Sequence, residues 1–596
     1  MMDNIHHLSV TQLLRARKRL QRELRAGVDL KPLRIAILGG TTSNEVADLL
    51  ELFLLAEGFD PTLYQSEYNR FYEDGALDPS AVRDFRPDVV YIHTHHVNLR
   101  HRSGSVRTEA DLRTDVTEEL HRFQSIWESI RSQVGCPIIQ NNFDPIPVAV
   151  LGNLDSTSTA GRSRFINELN LEFARFASEN TWLLIHDVAR LAACLGLQQW
   201  YDPNRWFSYK ILTTPAASRE IAASLAALVC AMGGRARKCL ILDLDNTLWG
   251  GVIGDDGVNR IQIGKETPLA EAYTDFQRYC LALRDRGVVL AVCSKNEEET
   301  AKAGFSHPDS VLKLEHFASF KANWEPKPDN IVKIAEELSL GLDSFVFVDD
   351  NPAERAIVAG RLPMVAVPEV GSEVSGFASA IQAGRYFEVV SLTQEDHARA
   401  EAYQANAARS TAAAKFATYD EYLQSLQMSA EIDGFHAVYY DRITQLTNKT
   451  NQFNLTTRRY TSTEIVRAAE DPGQVTLYGR LTDAFGDNGL VSVVIGRVED
   501  RDLHVDLWLM SCRVLKRDME AAMLDVLVSR AAAHGASQII GYYLRSAQNK
   551  MVEEHYPKLG FAVKSAAPDG SESVWTLDVS SYIPHNRHIQ ISGGMK

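Results

Sequence analysis

The amino-acid sequence predicts a multidomain α/β chain, and three observations predict it. At 596 residues the chain is too long for a single hydrophobic core. Apolar runs of strand length alternate with helical periodicity along most of it, the pattern of mostly parallel sheets. Several runs end in clustered carboxylates, hydroxyls or histidines, and the carboxyl edge of a parallel sheet is where such folds bind ligands. The composition is that of an ordinary globular chain, 45% hydrophobic and 23% charged.

Residues 1–29 read as one basic amphipathic helix. Leu13, Leu14, Leu20 and Leu24 share a face, with Arg15, Arg17, Lys18 and Arg19 around it. The segment lacks the apolar centre of a signal peptide, so a helix docked on the first domain is expected. No apolar run is expected to approach the ~18 residues of a membrane span. The seven cysteines are scattered without metal-binding spacing, as suits reduced thiols of the cytoplasm. A net charge of −15 argues against non-specific binding to nucleic acid. Neither nucleic acid nor membrane is expected as a partner.

Residues 30–232 read as the first α/β domain. Leu33–Leu38 predicts a strand, followed by Gly39-Gly40-Thr41-Thr42-Ser43-Asn44 and a helix over Val46–Ala56. Further strands are expected at Val89–Ile92, Pro137–Gln140 and Trp182–Ile185. The layout resembles SGNH-type esterases but lacks their catalytic signals. No Gly-Asp-Ser follows the first strand, and Tyr201-Asp202-Pro203-Asn204-Arg205 lacks the expected histidine. A degenerate scaffold is expected, in which Ser43, Asn141 and Asn142 remain able to line a site. Alternation places His93 and His95 on one strand face and His96 on the other, with no carboxylate at ligand spacing.

Residues 236–385 carry the most chemistry. The apolar run Cys239–Leu242 reads as a buried strand that ends in Asp243-Leu244-Asp245. Two carboxylates there are costly unless a cation neutralises them, and Mg²⁺ with substrate phosphate is the usual solution. A second strand, Val288–Val292, ends in Cys293-Ser294-Lys295-Asn296. Trp324-Glu325-Pro326-Lys327-Pro328 precedes a helix pattern, and Phe345–Val348 is a strand ending in Asp349-Asp350. This order of acid pair, hydroxyl, lysine and acid pair resembles the haloacid-dehalogenase-like phosphatases and phosphotransferases.

The resemblance implies that Asp243 takes the phosphoryl group as an aspartyl phosphate and that Asp245 protonates the leaving oxygen, then activates water. Ser294 and Lys327 would hold the phosphoryl oxygens, with Thr247 and Asn296 contacting substrate. Mg²⁺ would sit on Asp243, the backbone carbonyl of Asp245, and Asp349. Asp350 is the weaker ligand, because adjacent strand-end residues tend to point apart. Lys295 and Lys321 read as solvated. About fifty residues separate Asp245 from Ser294, taken up by a Gly-rich hairpin, Gly250 to Ile263, and one helix, Leu269–Arg286. That leaves no room for a cap domain, so the domain is expected to stay open to a large substrate.

Alanine- and charge-rich sequence from Glu395 to Phe416 reads as a helical linker within 386–429. The last domain, 430–585, has expected strands at Phe435–Tyr440, Val475–Tyr478, Leu490–Arg497 and Leu503–Met510. Ser511 to Asp518 then open a helix, and 586–596 read as a tail. The order resembles the N-acetyltransferase-like fold, in which a Gly-rich loop at a helix start cradles the pyrophosphate of coenzyme A. Here Lys516 and Asp518 stand where two glycines are expected. Acetyl-CoA is therefore disfavoured, whereas a pantetheine arm without its nucleotide remains compatible.

Longer strings narrow the resemblance: DLDNTLWGGVIGDDG (243–257), SKN (294–296), NWEPKPDNI (323–331), SFVFVDDNPAER (344–355), LTNKTNQFNLTTRRYT (446–461), LTDAFGDNGLVSVVIGR (481–497) and MSCRVL (510–515). Together they resemble the FkbH-like proteins of bacterial polyketide pathways, over essentially the whole chain. The family implies a cytoplasmic bacterial enzyme that takes the glyceryl unit of 1,3-bisphosphoglycerate, removes its phosphate, and loads the glyceryl group on the phosphopantetheine thiol of an acyl carrier protein. Two cysteines could carry the acyl group: Cys293, which alternation turns to the strand face opposite Ser294, and Cys512, beside Arg513 at a helix mouth that would lower its pKa; the alternative is direct transfer with both cysteines structural. Arg513 suits an anionic substrate. Asn451 lies in a polar cluster with Asn448, Lys449, Asn454, Arg458 and Arg459 able to meet carrier or substrate. Lys449, Arg458, Arg459, Lys516 and Arg517 offer a basic landing surface. Two other readings stay open: a phosphatase acting on a phosphometabolite or phosphoprotein, and a scaffold with an N-acetyltransferase-like module.

Overall fold

A computed structural model describes residues 5–6, 8–26, 30–100, 107–392, 403, 405, 409, 416, 418–511, 514–546 and 549–593. The chain divides into two compact units, Met1–Cys230 and Ala231–Lys596. Most of the expected linker, 395–416, together with Cys512 and Arg513, lies outside the described residues.

The first unit opens with the expected helix, Val10–Arg25, capped by Ser9 and Gln12 and burying Leu13 and Leu24. Its sheet comprises β1 (Lys31–Gly39), β2 (Phe59–Gln65), β3 (Val89–His93), β4 (Ile138–Asn141) and β5 (Leu183–His186). The order β2-β1-β3-β4-β5 is parallel throughout. Sequence periodicity misses β2, whose Pro61 and alternating polar residues suit a sheet edge. One helix, Pro215–Met232, is long and apolar enough by composition to cross a membrane, which corrects the expectation that no such run exists; 61% of it is buried inside the protein.

The second unit holds two sheets. The first comprises β6 (Cys239–Leu242), β7 (Val289–Ser294), β8 (Phe317–Ala322) and β9 (Phe345–Val348), ordered β8-β7-β6-β9 and wholly parallel. Leu240, Leu242, Leu290 and Val292 pack into one core layer, while Cys239, Ile241, Val289, Ala291 and Cys293 pack into the other. Period-two alternation thus feeds hydrophobic side chains to both faces, as a parallel sheet covered on two sides requires. The Gly-rich segment closes through a Gly250–Gln262 bridge, with Gly251 at φ 93° where a side chain would be strained.

The second sheet has eight strands: β10 (Met428–Asp433), β11 (Gln474–Asp483), β12 (Gly486–Glu499), β13 (Asp502–Met510), β14 (Gln538–Leu544), β15 (Ala562–Ala566), β16 (Glu572–Asp578) and β17 (Ile589–Ser592). Their order is β15-β16-β14-β13-β12-β11-β10-β17. An antiparallel run from β10 to β13, a helix at Met519–Ala533 and a return by β14 parallel to β13 give the expected N-acetyltransferase-like α/β fold. The strand expected at Phe435–Tyr440 is instead a short 3₁₀ turn running into the helix Tyr440–Lys449; the strand lies earlier, at Met428–Asp433, where burial alternates. The residues expected to form a tail contain β17, paired in parallel with β10.

Candidate active site

Asp243, Ser294 and Asp349 arrive together because β6, β7 and β9 are neighbours that end on the same edge. Each strand is a short apolar run that brings a polar residue to its carboxyl end, and all three of those residues are buried there. The chain turns at Asn246, whose φ of 53° suits asparagine better than most side chains.

Lys327 enters from the first turn of the helix Lys327–Leu338. A cation at a helix N-terminus is disfavoured by the macrodipole, and this one is only 3% exposed. Its compensation is direct: Nζ lies 2.8 Å from Asp243 Oδ1 and 2.5 Å from Asp349 Oδ2. Burial works against the ammonium, yet the two carboxylates together hold its pKa above the ordinary lysine value. Burial pushes the Asp243 carboxyl up to about 6, with Lys327 opposing and Asp349 adding to the rise. Asp349 and Asp350 are raised as well, burial first in both cases.

Asp243, Asp349 and Asp350 each offer a carboxylate oxygen within 4.8 Å of the others. This corrects the expectation that Asp350 points away. β9 stops at Val348, so strand alternation does not extend to residue 350. Arg355 fixes that corner by donating to the carbonyls of Asp349 (2.7 Å) and Asp350 (2.8 Å). Asn351 N–H donates to Asp349 Oδ1 at 2.9 Å. Sequence reasoning passes over Arg355, and its place in the NPAER turn just after the acid pair is the signal that points to it.

Asp245 stands apart from the carboxylate trio. Its Oδ1 accepts from Trp249 Nε1 (2.9 Å) and the Ile253 N–H (3.1 Å), and Oδ2 accepts from Asn296 Nδ2 (2.9 Å). The carboxyl is half-buried, oriented on both oxygens and free of the lysine's grip. The Asn296 amide also reaches Ser294 Oγ at 3.3 Å and so links that hydroxyl to Asp245. Thr247 is likewise buried, with Oγ1 accepting the Asp350 N–H at 3.2 Å, and fastens one acidic loop to the other. Ser294 is buried beside Asp243 and hydrogen-bonds to it. Lys295 and Lys321 are paired with Glu354 and Glu337, outside the carboxylate cluster.

The thiol expectations change. Cys293 is 0% exposed, donates to the Lys327 carbonyl at 3.7 Å, and burial pushes its pKa up to about 12. Alternation does turn it away from Ser294, into the opposite core layer, so it is not placed to carry an acyl group. Asn451 is not at a substrate site either. It donates to the Gly234 carbonyl at 3.4 Å and accepts from Arg459. Arg459 is half-buried, desolvation lowers its pKa to about 10, and it also donates to the carbonyls of Thr447 and Thr450. Arg517 is buried against Asp483 at 2.8 Å. Neither arginine is available for a basic landing surface.

In the eight-stranded sheet, Lys516 (φ 63°) and Asp518 (φ 60°) keep the left-handed backbone that glycine would favour. Asp518 Oδ2 accepts from His588 Nδ1 at 2.7 Å. Beyond Val505 and Gly541, β13 and β14 cease to pair. The chain's own segment 453–455 bonds to both there. Leu455 N–H donates to the Trp508 carbonyl (3.1 Å), Leu455 O accepts from Leu544 N–H (2.8 Å), and Phe453 O accepts from Met510 N–H (3.0 Å). The backbone groups of Trp508, Met510 and Leu544 that face this gap are therefore taken by the chain itself.

In the first unit, a carboxylate does reach the histidines. Asp144 Oδ2 lies 3.0 Å from His95 Nδ1 and accepts from Trp200 Nε1 at 2.7 Å, with His96 N–H on Oδ1 at 3.4 Å. Ser43 Oγ donates to Gln65 at 3.2 Å, Asn141 is buried and donates to the carbonyls of Thr94 and Asn142, and Asn142 donates to Asp187. These residues hold loops at the sheet edge.

The family described as FkbH, N-terminal domain, matches residues 34–219. A solved structure, the N-terminal part of a Bacteroides fragilis protein containing a phosphatase domain and complexed with Mg, is 31% identical, covering 63% of this chain and 99% of that one, with a TM-score of 0.59. The Escherichia coli ribosomal-protein-S18-alanine N-acetyltransferase is 12% identical over 26% of this chain and 99% of its own, at a TM-score of 0.20. A Thermoplasma acidophilum N-acetyltransferase in complex with coenzyme A is 16% identical over 25% of this chain and 99% of its own, at 0.21. Both of these likenesses are too slight to bear on this chain's chemistry. No curated protein matches the sequence. From the Bacteroides relative and the matched domain together, the chain belongs to the FkbH-like proteins, as an enzyme with a phosphatase-type domain.

Proposed function

We propose that this protein removes the phosphate ester from a glyceryl unit derived from 1,3-bisphosphoglycerate and delivers that unit as a thioester to an acyl carrier protein. The observation that carries the phosphatase half is the Lys327 ammonium held between Asp243 and Asp349, with Asp350 completing the carboxylate trio. Three carboxylates against one ammonium leave a negative site of hard oxygen donors, which suits Mg²⁺. Asp243, Asp349 and Asp350 would hold the ion, and when bound it supplies charge neutralisation for the phosphoryl oxygens.

Asp243 attacks phosphorus through a carboxylate oxygen, and the bond from phosphorus to the glyceryl oxygen breaks. Asp245, oriented by Asn296 and Trp249, hands that oxygen a proton. The aspartyl phosphate is then hydrolysed, with Asp245 taking a proton from water. Lys327 and Ser294 hold the phosphoryl oxygens and offset their charge.

The acyl-transfer half rests on chemistry and on family membership. An acyl phosphate reacts with a thiolate to give a thioester and release phosphate. With Cys293 in the core, the thiol is the carrier's own or Cys512, which lies outside the described residues. The experiment is the intact mass of a holo carrier protein incubated with this enzyme, Mg²⁺ and 1,3-bisphosphoglycerate. A mass gain of one glyceryl group is expected. A phosphate-releasing enzyme that leaves the carrier mass unchanged would reduce the function to a phosphatase acting on a phosphometabolite.

A further inference from the structure

Trp324 has 75% of its surface exposed. Large aromatic side chains are seldom left so open, and tryptophan, with tyrosine and arginine, is enriched among residues that dominate protein–protein binding energy. Among the described residues it takes part in no ring stack, cation–π contact or side-chain hydrogen bond.

Its exposure is built in. Asn323, just before it, donates its backbone N–H to the Ser294 carbonyl at 3.2 Å. The Asn323 side chain accepts from Glu325 N–H (3.0 Å) and from Asn330 Nδ2 (2.8 Å), and returns a bond to Asn330 Oδ1 (3.2 Å). Asn330 is fully buried. Glu325 pairs with Lys333, and Pro326 then caps the helix. A turn tied down at every residue around the indole keeps it out of the core. That turn starts on the backbone of Ser294 and ends at Lys327, both at the phosphoryl site, and three residues of chain span at most ~11 Å. Trp324 therefore stands on the rim of the site.

A small phosphate ester fits among Asp243, Ser294 and Lys327 and gains little from an indole on the rim. A protein that presents the ester on an extended arm must bring its own surface to that rim, and between Asp245 and Ser294 there are only a Gly-rich loop with the one-turn helix Ile253–Asp256 and the helix Pro268–Asp285 to stand in its way. We propose that Trp324 is the docking residue for a protein-borne phosphate ester and sets the preference of the site for it over the same ester on a free arm. This rests on the phosphatase reading and on delivery to a carrier.

The test compares full-length wild type, Trp324→Ala and Trp324→Phe, with Mg²⁺, on two substrates. One is the 3-phosphoglyceryl thioester of a holo carrier protein. The other is the same thioester on free pantetheine. Wild type is expected to show the higher kcat/KM on the carrier. Trp324→Ala should raise KM for the carrier-borne ester at least tenfold and leave the pantetheine ester within twofold, with Trp324→Phe recovering most of the loss. Equal wild-type kcat/KM on both substrates, an unchanged carrier KM in Trp324→Ala, or an equal loss on both would overturn the docking role while leaving the phosphatase reading intact. Turnover of neither thioester by wild type, with p-nitrophenyl phosphate still hydrolysed, would overturn the docking role and the glyceryl reading together.

Discussion

The Lys327 ammonium lies 2.8 Å from the Asp243 carboxylate, and neither group is satisfied elsewhere except through Asp349 and the hydroxyl of Ser294. Asp243→Asn keeps the side-chain shape and removes the anion. Phosphate release should fall by at least about a thousandfold, as for loss of a covalent catalyst. The thermal midpoint should change little, since Lys327 keeps Asp349. A folded variant with near-normal turnover would remove Asp243 from the nucleophile's role.

Lys327→Ala leaves Asp243 and Asp349 buried without their ammonium. Breaking a buried pair in this way costs about 3–5 kcal/mol. The variant should melt lower than wild type in chelator, and added Mg²⁺ should recover part of the loss by binding the carboxylates. Thermal melts with and without Mg²⁺ would refute this arrangement if Lys327→Ala were as stable as wild type, or indifferent to the ion.

Cys293 should resist alkylation. With its pKa pushed up to about 12 by burial, only about one thiol in ten thousand is ionised at pH 8, and reagent has no path to it. Mass spectrometry after iodoacetamide treatment of native protein should find it unmodified, and Cys293→Ala should still load the carrier. Rapid labelling, or lost loading with phosphatase activity intact, would return Cys293 to candidacy as the acyl carrier.

His555 is a source of acid sensitivity. It is buried between Phe453 and Trp508, 4.6 Å from the indole, and burial lowers its pKa to about 3. Between that value and the unfolded value near 6.5 the unfolded chain binds the extra proton. Stability is therefore full above about pH 6.5 and falls as the pH drops toward 3. The loss between pH 7 and pH 4.5 should be about 2–3 kcal/mol from this residue. Urea unfolding of wild type and His555→Phe at both pH values should show a smaller drop in the variant. Equal drops would exclude this histidine.

Much of the site was legible because strands β6 and β9 are uninterrupted four-residue apolar runs closed by acids, and the hydroxyl and lysine segments between them set that pattern apart from simple helix caps. Alternation also put Cys293 opposite Ser294 correctly. It failed at Asp350, where it was carried past the last strand residue. β8 escaped notice because Ser319 and Lys321 break its hydrophobic run at a sheet edge. The aromatic run Phe435–Tyr440 has strand propensity, yet tertiary packing made it a turn and the start of a helix. The duties of Thr247, Asn296 and Asn451 depend on partners 103, 51 and 217 residues away, a separation that no local pattern encodes.

The segment 453–455 fills, with the chain's own backbone, the gap where β13 and β14 stop pairing. Glycine at Lys516 and Asp518 would suit their φ values and clear the helix mouth, and would leave that gap filled. Lys516→Gly/Asp518→Gly is accordingly expected to bind acetyl-CoA no better than the parent by isothermal titration, and a gain of micromolar affinity would contradict the seam. What closes that gap is a turn and not a strand, pinned to β13 through the bridge of Asn454 with Leu509.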